Sequence, residues 1–202
     1  MGRLLEKVRS LGLSEKTLVI FSSDNGHHTE GGEGAADIFS KSGPLRGMKR
    51  DLTDGGIRVP TLAWWPGKIP AGTESAHVAY FGDFLSTAAE LAGAQEPEGR
   101  DGISFVPALL GQTQKKQHPH LYWEFHERGF NQAVLMDGRW KAIRMRAMDS
   151  PVELYDLQAD TAESRNLAAD RTDLVQRAEE LFRSERTQSA AWMPAKPPAP
   201  RR

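Results

Sequence analysis

Apolar residues recur along this chain at two periods, and each period predicts a different element. Leu4, Leu5, Val8 and Leu11 fall at helical spacing, so residues 3–11 are predicted as an amphipathic helix stopped by Gly12. Residues 17–22 (T-L-V-I-F-S) form a short apolar run rich in β-branched side chains, which predicts a buried strand, parallel by analogy with half a βαβ unit. The glycine-rich stretch 26–56 has no period and predicts a long loop with a function of its own. Residues 59–65 predict a second strand, with pairing beginning after Pro60. Residues 81–94 predict a helix with Phe81, Leu85, Ala88, Leu91 and Ala92 on its packed stripe and Gly93 as its stop. Four strand patterns follow at 121–125, 132–136, 140–145 and 153–157, the middle pair joined by the turn signal Asp137-Gly138. A final helix over 170–184 carries Leu174, Ala178, Leu181 and Phe182 on one face.

This order divides the chain. Residues 1–114 read as an α/β block. Residues 115–190 read as a small α+β unit, four antiparallel strands under one helix. Residues 191–202, rich in proline, read as a disordered tail. The 202 residues therefore fit one domain with an appendage.

Composition narrows the chemistry. The balance of 26 Lys and Arg against 27 Asp and Glu argues against a binder of nucleic acid. No apolar run reaches the ~18 residues of a membrane span. There is no cysteine, which removes disulfides, thiolate metal sites and a thiol nucleophile. Ser23-Asp24-Asn25-Gly26 stands where the first strand ends, and strand ends are where ligands bind in open α/β sheets. Its carboxylate and carboxamide are the hard oxygen donors that Ca²⁺ or Mg²⁺ prefers, although the same tetrapeptide also makes a plain Asx turn. His27, His28 and Glu30 offer either a metal site, an acid/base pair near neutral pH, or solvated loop side chains. His118, His120 and His126 form a second histidine group whose spacing does not demand zinc. The loop 43–50 sets Arg46, Lys49 and Arg50 among glycines, where a cation can meet charge developing on an oxyanion.

Taken in order, Asp24-Asn25-Gly26, the stretch 43–49, Gly55-Gly56-Ile57-Arg58-Val59-Pro60 and Trp65-Pro66-Gly67 resemble the second half of the type I sulfatases, the arylsulfatase-like branch of the alkaline phosphatase superfamily. Tyr122-Trp123-Glu124-Phe125, Asp137-Gly138-Arg139-Trp140-Lys141, Glu153-Leu154-Tyr155-Asp156-Leu157, Glu163 and Asn166-Leu167 are similar to its C-terminal subdomain. The resemblance implies the C-terminal part of an alkaline-phosphatase-like mixed sheet, followed by a small antiparallel sheet with one helix. It implies hydrolysis of an aryl or sugar sulfate ester with Asp24 and Asn25 as calcium ligands. It makes Lys49 the lysine that steadies the leaving oxygen and turns His28 toward the substrate, while Arg46 and Arg58 order the loop. A periplasmic or secreted location is implied with it.

The family's nucleophile is a formylglycine made from Cys or Ser in C/S-x-P-x-R. The formal match Ser42-Gly43-Pro44-Leu45-Arg46 lies inside the lysine loop, after Asp24 and Asn25, and reads as a decoy. The paired aspartates that complete the calcium site are absent too. The expectation is therefore a C-terminal portion that lacks the N-terminal half of its own domain and is inactive alone. Two alternatives stand beside it. One is a phosphate or phosphonate ester hydrolase of the same superfamily. The other is a non-catalytic remnant or glycan-binding module that uses Tyr122, Trp123 and Trp140.

Overall fold

A computed structural model describes residues 1–28, 43–96, 98–127 and 129–191. Glu30, Ser42 and the proline-rich tail lie outside the described residues. The chain forms two compact units, one of residues 1–22 and 60–118, the other of 23–59 and 119–202.

In the first unit, α1 (Gly2–Ser10) closes on a two-bond C-terminal motif. Gly12 takes φ +67° and its N–H reaches the Arg9 carbonyl, while the Leu13 N–H reaches that of Val8. Strand β1 (Val19–Ser22) pairs with β2 (Thr61–Trp64), and β2 opens immediately after Pro60 as its missing N–H requires. The pairing is antiparallel, which corrects the parallel expectation. Nor is the strand buried: Phe21 and Leu62, register partners, are 48% and 65% exposed. An apolar run predicts a strand, but its direction and cover depend on distant neighbours.

Helix α2 (Asp54–Ile57) forms within the stretch expected to be loop and belongs to the second unit. Helix α3 (Asp83–Ala92) ends at Gly93 in the left-handed conformation, as its sequence predicts. Its burial is the reverse of the expected stripe. Asp83, Ser86, Thr87 and Ala89 are buried, whereas Phe81, Phe84 and Leu85 are exposed. The cause is polar. Asp83 accepts hydrogen bonds from the N–H groups of Tyr80 (3.0 Å) and Ile103 (2.8 Å) and pairs with His118 Nε2 (2.8 Å). Ser86 donates to the Gly102 carbonyl at 3.1 Å, and Thr87 accepts from the Phe105 N–H at 3.1 Å. Those bonds fold the 101–106 segment, which leads into α4 (Val106–Leu109), against the polar side of α3.

In the second unit, β3 (His120–Phe125), β4 (Asn131–Met136), β5 (Trp140–Arg144) and β6 (Val152–Asp156) form an antiparallel meander in that order. Asp137 and Gly138 both take positive φ, as the hairpin signal requires. Every residue of β4 is buried, so both faces of the sheet are covered. On one face, α5 (Thr172–Ser184) packs Leu174, Ala178 and Phe182 against Val134, Met136, Ala142, Val152 and Leu154. Alternation sends Ala133, Ile143 and Tyr155 to the other face, where Leu52 and Ile57 meet them. The segment before β2 is thus the sheet's second cover. Phe182→Ala, which empties the centre of the α5 face, is expected to cost about 3–5 kcal/mol in urea-unfolding stability.

Candidate functional site

Two segments of the second unit carry Asp24, Asn25, His28 and Lys49. The first is 24–28, which follows β1 in the chain. The second is 46–58, which ends in α2. Backbone bonds join them. The Lys49 N–H donates to the His27 carbonyl at 2.8 Å, and the Gly26 N–H donates to the Gly56 carbonyl at 2.9 Å. Within the second segment the Gly55 N–H donates to the Arg46 carbonyl at 2.7 Å.

This crossing admits no side chains. A Cβ on Gly26 would lie 1.8 Å from the Gly55 carbonyl oxygen, and one on Gly56 2.2 Å from that of Asp51. Both distances are far inside van der Waals contact, so glycine is needed for the approach itself. The Asn-Gly and Gly-Gly pairs in the sequence mark this crossing.

Asp24 is exposed, and no described residue makes a hydrogen bond or ion pair to its carboxylate. Asn25 turns its Nδ2 to the Gly26 carbonyl at 2.7 Å, which leaves its carboxamide oxygen as the atom to offer a cation. The chemistry of this donor set fits calcium, a hard ion that takes oxygen ligands. It is a partial set, because calcium takes about six to eight ligands. Among the described residues no group of three or more His, Asp or Glu side chains could hold a metal. Lys49 is half-buried. His28 is exposed, while His27 Nδ1 is buried without a hydrogen-bond partner among the described residues. The resemblance gives a role to His28 and leaves that of His27 open. The structural difference between them is one of burial.

The other histidines do not gather. His118 pairs with Asp83, His120 with Glu185 (3.2 Å) and His126 with Glu124 (3.1 Å). The three aromatics considered for sugar stacking are packing residues. Tyr122 meets Phe182 edge-on, Trp123 packs on the Ile143 face, and Trp140 lies under the guanidinium groups of Arg139 and Arg171.

The second segment is tied to the sheet by residues that the sequence reading left without roles. Lys141 of β5 is 1% exposed, and its Nζ lies 2.6 Å from Asp54 Oδ1 and 3.1 Å from Glu163 Oε1. Glu163 is fully buried, and its Oε2 accepts the Asp54 N–H at 2.8 Å. Burial pushes the Glu163 carboxyl above the usual range, against the pull of Lys141. Nearer the rim, the Arg46 guanidinium lies over the Tyr155 ring and donates to its hydroxyl at 3.1 Å. Burial, with the bond to Glu153, raises that hydroxyl to about 12. Arg46 therefore orders the loop, and Arg58 sits 3.5 Å from Asp54 in the same network. A lysine at an inward position of β5 was the available signal, since an ammonium is almost never buried unpaired.

The fold is that of the alkaline-phosphatase-like sulfatases. The crystal structure of Ps i-CgsB matches with a TM-score of 0.78 and 27% identity, over 91% of this chain and 39% of that one. Family models agree: Sulfatase matches residues 1–94, and N-sulphoglucosamine sulphohydrolase, C-terminal, matches residues 48–188. The chain belongs to the type I sulfatase family and corresponds to its C-terminal portion. It is 35% identical over 144 residues to N-acetylgalactosamine-6-sulfatase of Canis lupus familiaris, covering 70% of this chain and 26% of that protein. It is 37% identical over 143 residues to steryl-sulfatase of Mus musculus, covering 69% and 22%. The chain thus spans about a quarter of the length of these curated relatives. Among the described residues no helix is long and apolar enough to cross a membrane.

Proposed function

We propose that this chain is the C-terminal portion of a calcium-dependent sulfatase that releases sulfate from a sulfate monoester. Asp24 and Asn25 would hold the ion, Lys49 and His28 would face the ester, and a formylglycine nucleophile would come from the family's N-terminal portion. The observation that carries this reading is the 2.8 Å bond from the Lys49 N–H to the His27 carbonyl, which sets the oxygen-donor motif and the lysine side by side. A periplasmic or secreted location goes with the reading.

The chemistry follows from charge. A sulfate monoester is anionic, and breaking its ester bond moves negative charge onto the bridging oxygen. The Lys49 ammonium, held where that charge appears, stabilises the transition state more than the ground state. Bound calcium would supply the Lewis acidity that polarises the sulfuryl oxygens. The relatives named above act on an amino-sugar sulfate and a steryl sulfate by their names, so the shared ester sets the substrate class.

The first unit supports a need for the N-terminal portion. Leu4, Leu11, Phe21, Leu62, Phe84 and Leu85 are large apolar side chains left exposed within one small unit. Phe21 and Leu62 stand opposite each other in the β1–β2 register, and adjacent exposed apolar side chains suit an interaction surface. The part of the relatives outside the matched quarter is the occupant this reading assigns to it.

The test is turnover of 4-nitrophenyl sulfate with calcium present. The 202-residue chain alone is expected to give none. The same chain supplied with the N-terminal portion of a sulfatase is expected to turn over, to stop when a chelator removes calcium, and to favour the sulfate over the matched phosphate. Robust turnover by the chain alone would falsify the division of labour. A completed enzyme that prefers the phosphate would overturn the sulfatase reading.

A further inference from the structure

We infer that Lys141, Asp54 and Glu163 are positioning residues: a buried charge cluster in the C-terminal sheet unit that sets the relative placement of the oxygen-donor segment 24–28 and the lysine loop. Its functional meaning rests on the sulfatase reading above, but its geometry does not.

The argument runs outward from the core. Lys141 stands on β5 with its side chain on the face that carries Ile143 and Tyr155, opposite α5. An ammonium there needs partners, and two carboxylates provide them. Asp54 comes from the first residue of α2. Glu163 comes from the turn after β6 and takes φ +51°, an uncommon conformation for a residue with a Cβ. Glu163 makes a second contact that a simple counter-ion would not. Its Oε2 accepts the Asp54 backbone N–H, so it grips the main chain of α2 while Lys141 grips the side chain.

The grip is passed on through backbone. Asp54 is followed by Gly55 and Gly56, whose N–H and carbonyl bond to Arg46 and Gly26 respectively. Gly26 lies between Asn25 and His27, and the His27 carbonyl takes the Lys49 N–H. Four hydrogen bonds therefore connect Glu163 to the backbone of both site segments: Asp54 to Glu163, Gly55 to Arg46, Gly26 to Gly56, and Lys49 to His27. The absence of Cβ atoms at Gly26, Gly55 and Gly56 removes slack from the chain of contacts, because backbone meets backbone directly.

The charges around the cluster are accounted for on each side. Lys141 is shared by Asp54 and Glu163, Arg58 approaches Asp54 at 3.5 Å from the exposed side, and Arg46 is the cation nearest the Glu153–Tyr155 edge. Removing the ammonium leaves two carboxylates facing each other without water, and α2 is the movable element that can separate them. The sheet is held by its own ladders, so the displacement falls on the site segments.

The test is amide hydrogen exchange on the full 202-residue chain, comparing wild type with Lys141→Met and Glu163→Gln. The reporters are the amides of Gly26, Lys49 and Gly55. The references are Val134 and Ala142 in the sheet. In both variants the reporters are expected to accelerate at least about tenfold more than the references do, a local opening of about 1.4 kcal/mol beyond any global loss. Uniform acceleration of reporters and references would mean a merely structural cluster and overturn the inference, and so would reporters that do not move. If Lys141→Met does not fold, Glu163→Gln alone decides, because it keeps volume and an acceptor for the Asp54 N–H. The readout needs neither calcium nor turnover, so its failure is separable from failure of the sulfatase reading.

Discussion

In an enzyme completed with the N-terminal portion, Lys49→Ala is expected to lower kcat about 10²–10³-fold with a smaller effect on KM. The size follows from the role. A cation placed for the bridging oxygen meets little charge in the ground state and most of its charge in the transition state, so its loss falls on kcat. What supports that proposed role is the backbone bond from the Lys49 N–H to the His27 carbonyl, two residues beyond Asn25. Lys115→Ala, a change outside the site, serves as the control. Steady-state kinetics check the split. A parent-like kcat would take Lys49 out of the chemistry, and a rise confined to KM would reduce it to general attraction of an anion.

The second large effect is on stability. Lys141→Met is expected to cost about 3–5 kcal/mol, because it removes one partner from a buried ionic cluster, strips Glu163 of its counter-ion and leaves Asp54 only the exposed Arg58. Set against the ~5–15 kcal/mol stability of a typical domain, this is a major share. The triple change Lys141→Met, Asp54→Asn and Glu163→Gln removes the charges together and is expected to recover most of the loss. Urea denaturation at neutral pH measures both. A single variant within about 1 kcal/mol of wild type would show that the cluster is not holding the fold, since surface changes fall in that range.

Much of the second unit was legible in the sequence. The four strands alternate apolar residues between two faces, Asp137-Gly138 carries the hairpin conformation, and the stripe of Leu174, Ala178 and Phe182 marks the covered side of the last helix. These are local signals, set by side-chain period and by the φ values that glycine and aspartate tolerate. The motifs around Asp24 and Lys49 were legible as donor chemistry and as a family likeness.

Other features were decided only by the tertiary structure. The partner of β1 and its direction depend on a strand about forty residues away, which an apolar run does not encode. The packed side of α3 was misjudged because Asp83, Ser86 and Thr87 bind the backbone of 101–106, and several satisfied polar bonds outweigh a short apolar stripe. The sheet's second cover, and with it the pairing of Lys141 with Asp54 and Glu163, joins residues 87 positions and 22 positions apart in the chain. Periodicity reports which face of an element is apolar. It does not report which distant carboxylate meets a buried lysine, because that choice is made by the packing that excludes water from all of them at once.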